Sequence, residues 1–222
     1  MDIKSNLQKV LSDLPESVHL VAVSKFHPKE ALMEAYNAGQ RIFGESKVQE
    51  MTEKQEALPK DIQWHFIGHL QTNKIKYMAP YVAMIHGVDS YKLLTEINKQ
   101  AEKCNRVIPC LLQIHIAQEE TKFGFSFEEC TEMLEKEDWK NLSHISLQGV
   151  MGMASNTDDM EQVRHEFKSL HEYFLKIKQS YFSGNDAFRH ISMGMSHDYP
   201  IALEEGATLV RVGSKIFGER VY

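Results

Sequence analysis

The residues best suited to chemistry stand at the ends of short apolar runs. Lys25 directly follows Leu20-Val21-Ala22-Val23-Ser24, so its ammonium emerges where water is scarce. Desolvation favours the neutral amine, and a neutral amine can condense with an aldehyde. Position alone favours the plainer reading, a lysine that merely snorkels out of a strand end. Ser192-Met193-Gly194-Met195-Ser196 lies between an apolar run and a helical stretch, Asp198 to Glu205. A loop of this kind can aim backbone N–H groups and hydroxyls at a phosphate, assisted by the positive end of the helix. Val212-Gly213-Ser214 repeats the arrangement, the glycine permitting close backbone approach and the serine supplying a hydroxyl. Singly these are ordinary turn residues; two such loops together point to an anion. Arg211 interrupts Leu209-Val210-Arg211-Val212, and a buried guanidinium needs an acceptor because it cannot shed its proton. A carboxylate is the plain answer and a ligand ring nitrogen the sharper one.

The elements that must position these residues alternate along the chain. Eight β-rich runs, His19 to Ser24, Arg41 to Gly44, Gln63 to Gly68, Val82 to Val88, Val107 to Ile116, Ile145 to Met153, Phe188 to Met193 and Thr208 to Gly213, are mostly continuous in apolar character, as strands covered on both faces should be. Helical patterns lie between them at Lys29 to Ala38, Tyr91 to Cys104, Phe127 to Glu135 and Asp159 to Gln179, with a weaker one at Asn73 to Tyr77. This alternation predicts βαβ units with parallel strands. Eight such units in 222 residues fit a small (β/α)8 TIM barrel. An open, doubly wound sheet fits less well, because the first strand ends Val23-Ser24-Lys25 without a GxGxxG fingerprint. No Pro/Gly/Ser-rich linker divides the chain, and the polar stretch Ser183 to Asp186 reads as a loop. The expectation is one domain over residues 1–222, with an extra helix from about Ile3 to Leu14 outside the barrel.

In a barrel of this type the active face lies at the C-terminal strand ends. That rule nominates Lys25 after strand one, Glu45 and Ser46 after strand two, His69 after strand three, and Glu119 to Lys122 after strand five. Strand seven adds Ser192 to Ser196, and strand eight adds Arg211 to Ser214.

Composition narrows the function classes. With 25 Lys and Arg against 31 Asp and Glu, the net charge is −6, which leaves no basic surplus for nucleic-acid phosphates or anionic lipids. No segment approaches the roughly 20 apolar residues that span a bilayer, and Met1 to Glu16 lacks the apolar stretch of a secretory signal. Cys104, Cys110 and Cys130 form no CxxC pair and read as reduced thiols in the cytoplasm. No nucleic-acid or membrane partner is expected.

Several other signals have plain readings. His65 and His69 have the i, i+4 spacing of helical zinc ligands but span a strand end and Gly68, so no metal site is expected. Met151, Met153, Met193 and Met195 could line a soft pocket, although strand methionines usually fill cores. His165, Lys168, His171 and Lys176 belong to the solvated face of a long helix.

Five blocks taken together resemble the pyridoxal phosphate (PLP) homeostasis protein family: Lys25 after its apolar strand; Phe43-Gly44-Glu45-Ser46 with Val48-Gln49-Glu50; Trp64-His65-Phe66-Ile67-Gly68 with Leu70-Gln71-Thr72-Asn73-Lys74; Ser192-Met193-Gly194-Met195-Ser196 with Asp198; and Val210-Arg211-Val212-Gly213-Ser214 with Ile216-Phe217-Gly218. The match runs in order from about Val21 to Tyr222. It implies a fold-type III barrel, like the N-terminal domain of alanine racemase, holding PLP as an aldimine on Lys25. The family's phosphate contacts fall on Ser192, Met195, Ser196, Gly213 and Ser214, and its pyridine-nitrogen contact on Arg211. Where the family commonly has asparagine, this chain has Ser46, a shorter candidate contact without the amide's separate donor and acceptor. Lys122 also recurs in the family, as an electrostatic neighbour of the cofactor or a second lysine able to accept it.

The arginine has a chemical consequence. PLP stabilises a carbanion best with a protonated pyridine nitrogen, and a guanidinium donating to that nitrogen opposes protonation. Alanine racemases share the arginine but add a second domain and a partner-subunit tyrosine as the opposing base; a chain ending at Tyr222 is expected to lack both. The resemblance therefore implies a protein of PLP (vitamin B6) and amino-acid homeostasis without robust catalysis, a monomer whose partners are PLP and, as candidate recipients, PLP-dependent apoenzymes. A small PLP-dependent amino-acid racemase is the alternative, and a plain interaction scaffold the third.

Overall fold

The computed structural model describes residues 2–121 and 123–219. Lys122 and the C-terminal Tyr222, both named above, lie outside the described residues. In chain order the elements are α1 (Ile3–Asp13), β1 (His19–Val23), α2 (Lys29–Asn37), β2 (Ile42–Glu45), α3 (Val48–Ala57), β3 (Gln63–Phe66), α4 (Ile75–Met78), β4 (Met84–Val88) and α5 (Tyr91–Lys103). They continue with β5 (Ile108–Gln113), α6 (Phe127–Glu135), β6 (Ile145–Met151), α7 (Met160–Tyr181), β7 (His190–Ser192), α8 (Tyr199–Glu204), β8 (Leu209–Val212) and α9 (Ser214–Phe217).

The eight strands form a closed barrel in sequence order, and β8 returns to β1 in parallel register from His19 opposite Leu209 to Ala22 opposite Val212. The fold is a (β/α)8 barrel. Alternation along each strand sorts side chains between two cores. Outward residues such as Leu20, Ala22, Trp64 and Phe66 join the core shared with the helices, whereas Val21, Met84, Leu111, Met151 and Leu209 form a separate apolar cluster inside the barrel. The β5–β6 pairing shifts register between Cys110 and Leu111. Gly149 sits there at φ 149°, where an added Cβ would stand 1.8 Å from the His190 carbonyl oxygen, so only glycine fits.

Helix ends follow their local chemistry. Ser126 and Glu129 form a capping box at α6, and Asp159 Oδ1 accepts the N–H groups of Glu161 and Gln162 at the start of α7. The N-terminal helix α1 packs on the outside as expected. Ile3, Leu7 and Val10 are buried there, each side chain contributing about 1.5–3 kcal/mol by apolar burial. Asn6 Nδ2 donates to the Ile216 carbonyl at 3.2 Å, and Tyr199 Oη donates to Asp13 at 2.6 Å.

The observed strands stop short of the expected runs at several C-terminal ends. They end at Phe66 rather than Gly68, at Gln113 rather than Ile116 and at Ser192 rather than Met193, where the chain turns out into the rim loops. Among the described residues no helix is long and apolar enough to cross a membrane.

Candidate functional site

A cavity of about 240 Å³ opens at the C-terminal strand ends, bordered by β1, β8 and the loop between β7 and α8. Lys25, Met195, Ser196, Arg211, Gly213 and Ser214 all line it. Residues separated by nearly the whole chain meet because β8 closes on β1. His27, Ile67, Met153 and His197 complete much of the wall. Of the four methionines noted in the sequence, Met153 and Met195 face this cavity, whereas Met151 and Met193 are core residues. Larger grooves lie elsewhere on the surface; the one of about 530 Å³ between α6 and α7, lined by Glu128, Glu132 and Glu172, is on the outer helical layer and holds none of the strand-end residues.

Lys25 is half-buried, and the residues flanking it are clamped from β2 and α3. Ser24 Oγ donates to Glu45 Oε1 at 2.6 Å, and the Phe26 N–H donates to Glu50 Oε1 at 2.6 Å. The Lys54 ammonium joins the two carboxylates, reaching Glu45 Oε1 and Glu50 Oε1 at 2.7 Å and the Ser24 carbonyl at 2.9 Å. Its three N–H donors thus meet three acceptors, which a buried ammonium requires. Burial raises the Glu45 carboxyl above its ordinary range, and Lys54 opposes that rise. Glu45 therefore serves beneath Lys25 rather than on the cavity wall. Lys54 was invisible as a site residue in the sequence, although a lysine at the apolar-face position between Met51 and Leu58 on α3 is a signal.

The two rim loops are joined to each other. The Arg211 N–H donates to the Gly194 carbonyl at 2.9 Å, and the Gly213 N–H donates to Ser196 Oγ at 3.2 Å. Asp198 Oδ1 accepts the Met195 N–H at 2.6 Å, which closes the loop onto α8. Gly194 has φ 94°, and a Cβ there would stand 2.6 Å from that of Ala202, so this loop needs glycine.

Arg211 is 3 % exposed. Its Nη1 donates to Ser192 Oγ at 2.5 Å and its Nη2 to the Gly152 carbonyl at 3.1 Å. Both acceptors are neutral. The carboxylate partner that would be the plain answer for a buried arginine is absent among the described residues; Asp198 acts on it only as a nearby charge. Burial lowers the guanidinium to about 10, which leaves it cationic at neutral pH. Ser192 is fully buried, and its oxygen also meets His86 Nδ1 at 2.8 Å. Ser46 is half-buried at the end of β2, packed so closely on Gly68 that a Cβ on that glycine would stand 2.5 Å from the Ser46 carbonyl oxygen. Neither Ser46 nor Ser192 is among the cavity-lining residues.

His65 and His69 part company. His65 points into the barrel, with Nδ1 2.8 Å from His86 Nε2, while His69 stacks on Phe123 at 3.8 Å and lies 3.4 Å from Asp89.

Charge and chemistry of the wall suit one type of ligand. Among the described residues the lining holds Lys25, His27, His197 and Arg211 but no carboxylate and no tyrosine, in a chain of net charge −6. Such a wall favours an anion. The amine, the hydroxyls of Ser196 and Ser214, and a guanidinium held by neutral acceptors fit a phosphorylated aldehyde with a ring acceptor.

Residues 2–221 match the model of the alanine racemase N-terminal domain. The pyridoxal phosphate homeostasis protein of Aquifex aeolicus is 42% identical over 204 residues, covering 91% of this chain and 87% of that protein. Its counterpart in Schizosaccharomyces pombe is 36% identical over 221 residues, with 98% and 90% covered. The structure of PipY from Synechococcus elongatus PCC7942 solved without PLP superposes with a TM-score of 0.91 at 34% identity over 97% of this chain and 100% of that one. The PipY structure with PLP bound gives 0.88 at the same identity and coverage. An alanine racemase of Clostridium difficile, 14% identical with a TM-score of 0.79 over 98% of this chain and 56% of that one, shares the barrel fold.

Proposed function

This chain belongs to the alanine racemase N-terminal-domain family and, within it, to the pyridoxal phosphate homeostasis proteins, and on that premise we propose that it binds PLP covalently through Lys25. The observation that carries this reading is the cavity itself: Lys25 and Arg211 share one wall that contains no carboxylate among the described residues. The Lys25 amine condenses with the aldehyde. Arg211 donates to the pyridine nitrogen, and the loops carrying Met195, Ser196, Gly213 and Ser214 hold the phosphate, with Ser46 at the rim. Ser192 acts from behind Arg211 rather than on the phosphate, because its hydroxyl is already engaged by Arg211 and His86.

Bound PLP supplies an electrophilic carbon and an electron-withdrawing ring. Arg211 is cationic and can only donate, so it keeps the ring nitrogen unprotonated and the electron sink weak. No tyrosine or carboxylate on the described wall stands ready as a second acid or base opposite Lys25. These residues favour holding PLP over turning over amino acids, which makes the protein a participant in vitamin B6 and amino-acid homeostasis rather than a racemase.

The test is the absorption spectrum of the PLP-loaded protein before and after borohydride, followed by mapping of the modified lysine. Attachment at Lys25, lost in Lys25→Ala, is expected; attachment at another lysine such as Lys122 overturns the site. Fast loss of the α-proton signal from a single amino-acid enantiomer in deuterated water, abolished by Lys25→Ala, favours the racemase instead.

The protein acts in the cytoplasm as a monomer, with PLP-dependent apoenzymes as recipients. The free thiols of Cys104, Cys110 and Cys130 support a reducing compartment. Exposed apolar side chains such as Leu11 on α1, Tyr91 on α5 and Leu175 on α7 lie on separate elements, which supports the monomer. Light scattering on the purified protein decides the oligomeric state.

A further inference from the structure

Four side chains run in one hydrogen-bonded line from the cavity wall into the barrel. Arg211 Nη1 donates to Ser192 Oγ at 2.5 Å. Ser192 Oγ lies 2.8 Å from His86 Nδ1, and His86 Nε2 lies 2.8 Å from His65 Nδ1. Arg211 and His65 are 3 % and 4 % exposed, and Ser192 and His86 are fully buried. They come from β8, β7, β4 and β3, so only barrel closure assembles the line.

We propose that Ser192, His86 and His65 form a neutral, proton-ordered relay that positions Arg211 and leaves its full charge facing the cavity. The order of protons follows from the donor inventory. Arginine only donates, so Ser192 Oγ is an acceptor toward Arg211. The serine hydrogen then needs an acceptor of its own, and His86 Nδ1 is the other group in reach of Oγ among the described residues. The serine therefore donates to Nδ1. Burial holds His86 well below its ordinary range, so it is neutral and carries its one ring hydrogen on Nε2, which it donates to His65 Nδ1. Burial likewise lowers His65 to about 3, and its hydrogen stays on Nε2. The reverse order, with His86 Nδ1–H donating to the serine, strands the serine hydrogen in the core, which folded proteins avoid.

A carboxylate in place of Ser192 would also orient Arg211, but it would cancel the charge. The relay fixes the guanidinium with neutral acceptors only, the Gly152 carbonyl being the second. Resting on the PLP reading above, this makes His86 and His65 positioning residues. They act through Ser192 on the donor that faces the pyridine nitrogen, and they never touch the cofactor.

Two measurements test the relay. In long-range proton–nitrogen spectra of the wild-type protein at pH 7, assigned with His65→Phe and His86→Phe, both histidines are expected as neutral Nε2–H tautomers. A proton on Nδ1 of His86, or an imidazolium at either position, overturns the proton order. In the PLP-loaded protein, His86→Phe and Ser192→Ala are expected to keep attachment at Lys25 while shifting the absorption maximum and weakening PLP retention by about tenfold, the equivalent of one net hydrogen bond. An unchanged spectrum and affinity in both variants overturns the positioning role. A wild-type protein with no PLP on Lys25 overturns the cofactor reading and the tuning with it, while the histidine spectra still decide the relay. Those spectra come from the wild type, and the nitrogen–nitrogen coupling across the His86 Nε2–H to His65 Nδ1 hydrogen bond identifies the pair should either variant fail to fold.

Discussion

Glu50 Oε1 accepts the backbone N–H of Phe26 at 2.6 Å, so the residue after Lys25 is held by α3 rather than by its own strand. Phe26 has φ 67°, a left-handed conformation that costs a bulky L-residue about 1–3 kcal/mol and persists only where surrounding contacts enforce it. The enforcing contacts are Glu45, Glu50 and Lys54, which bind the chain on both sides of Lys25. The lysine thus stands on a turn whose shape is set from beneath.

Lys54→Met tests that support. Removing the ammonium leaves the fully buried Glu45 carboxylate without its counter-ion, and breaking a buried pair from one side costs about 3–5 kcal/mol. Urea denaturation is expected to show a loss of that size. A loss under about 1 kcal/mol means the cluster is not needed to hold the turn.

Gly194→Ala addresses the loop opposite. With φ 94° and a Cβ placed 2.6 Å from that of Ala202, alanine meets both backbone strain and a clash with α8. The loop must shift, and the Met195, Ser196 and Gly213 positions shift with it. PLP affinity measured by equilibrium dialysis is expected to fall by roughly tenfold or more, consistent with strain of about 1–3 kcal/mol. Wild-type affinity in this variant removes the loop from the binding site.

The barrel was legible in the sequence because each strand is a compact apolar run and the loops between them carry their own turn and cap chemistry. The helix α3 was not, since its buried face is Val48, Met51 and Lys54, and a lysine breaks the apolar period on which such readings depend. Most of the cavity wall was legible too, because strand-end position in a barrel is a strong rule. What lay behind the wall was hidden. His65, His86, Ser192 and Arg211 are scattered across four strands, and no spacing along the chain announces a contact made only by closure. The i, i+4 spacing of His65 and His69, set aside in the sequence because it spans a strand end and Gly68, says nothing of His86, which is the group His65 meets.

Acid stability reports the same buried histidines. Burial lowers His65 to about 3 and His86 well below 6.5; His190, less deeply buried, falls to about 4. The native state thus binds fewer protons than the unfolded chain below about pH 6.5, and stability falls as pH drops from 6.5 toward 3. Glu45, with its carboxyl raised by burial, works in the opposite sense above about 4.5 and offsets part of this loss. Each net proton corresponds to about 1.4 kcal/mol lost per pH unit between 6.5 and 4.5. Urea midpoints at pH 7, 6 and 5 measure the slope, and His65→Phe is expected to flatten it by one proton. A flat profile in the wild type means the histidines are charged in the fold.

Arg211→Met separates what the arginine does for folding from what it does for PLP. In the PLP-free protein the guanidinium is buried without a counter-ion among the described residues, and an apolar side chain of similar volume avoids the several kcal/mol that desolvating one ion costs. Against this stand the two hydrogen bonds to Ser192 and Gly152, each worth about 1.5–3 kcal/mol as charge-assisted bonds. Ser192 keeps a partner in His86 after the substitution, so only the Gly152 carbonyl is left unmatched. The PLP-free variant is therefore expected to be at least as stable as the wild type in thermal denaturation. PLP binding moves the other way. On the proposed reading the variant loses the donor to the pyridine nitrogen and the cation that balances the ligand's charge, a loss of about 1.5–3 kcal/mol or roughly tenfold to a hundredfold in affinity. Opposite signs in the two measurements mark a residue kept for its ligand at the expense of the fold. If stability and PLP affinity fall together, Arg211 is a structural residue whose place on the cavity wall is incidental.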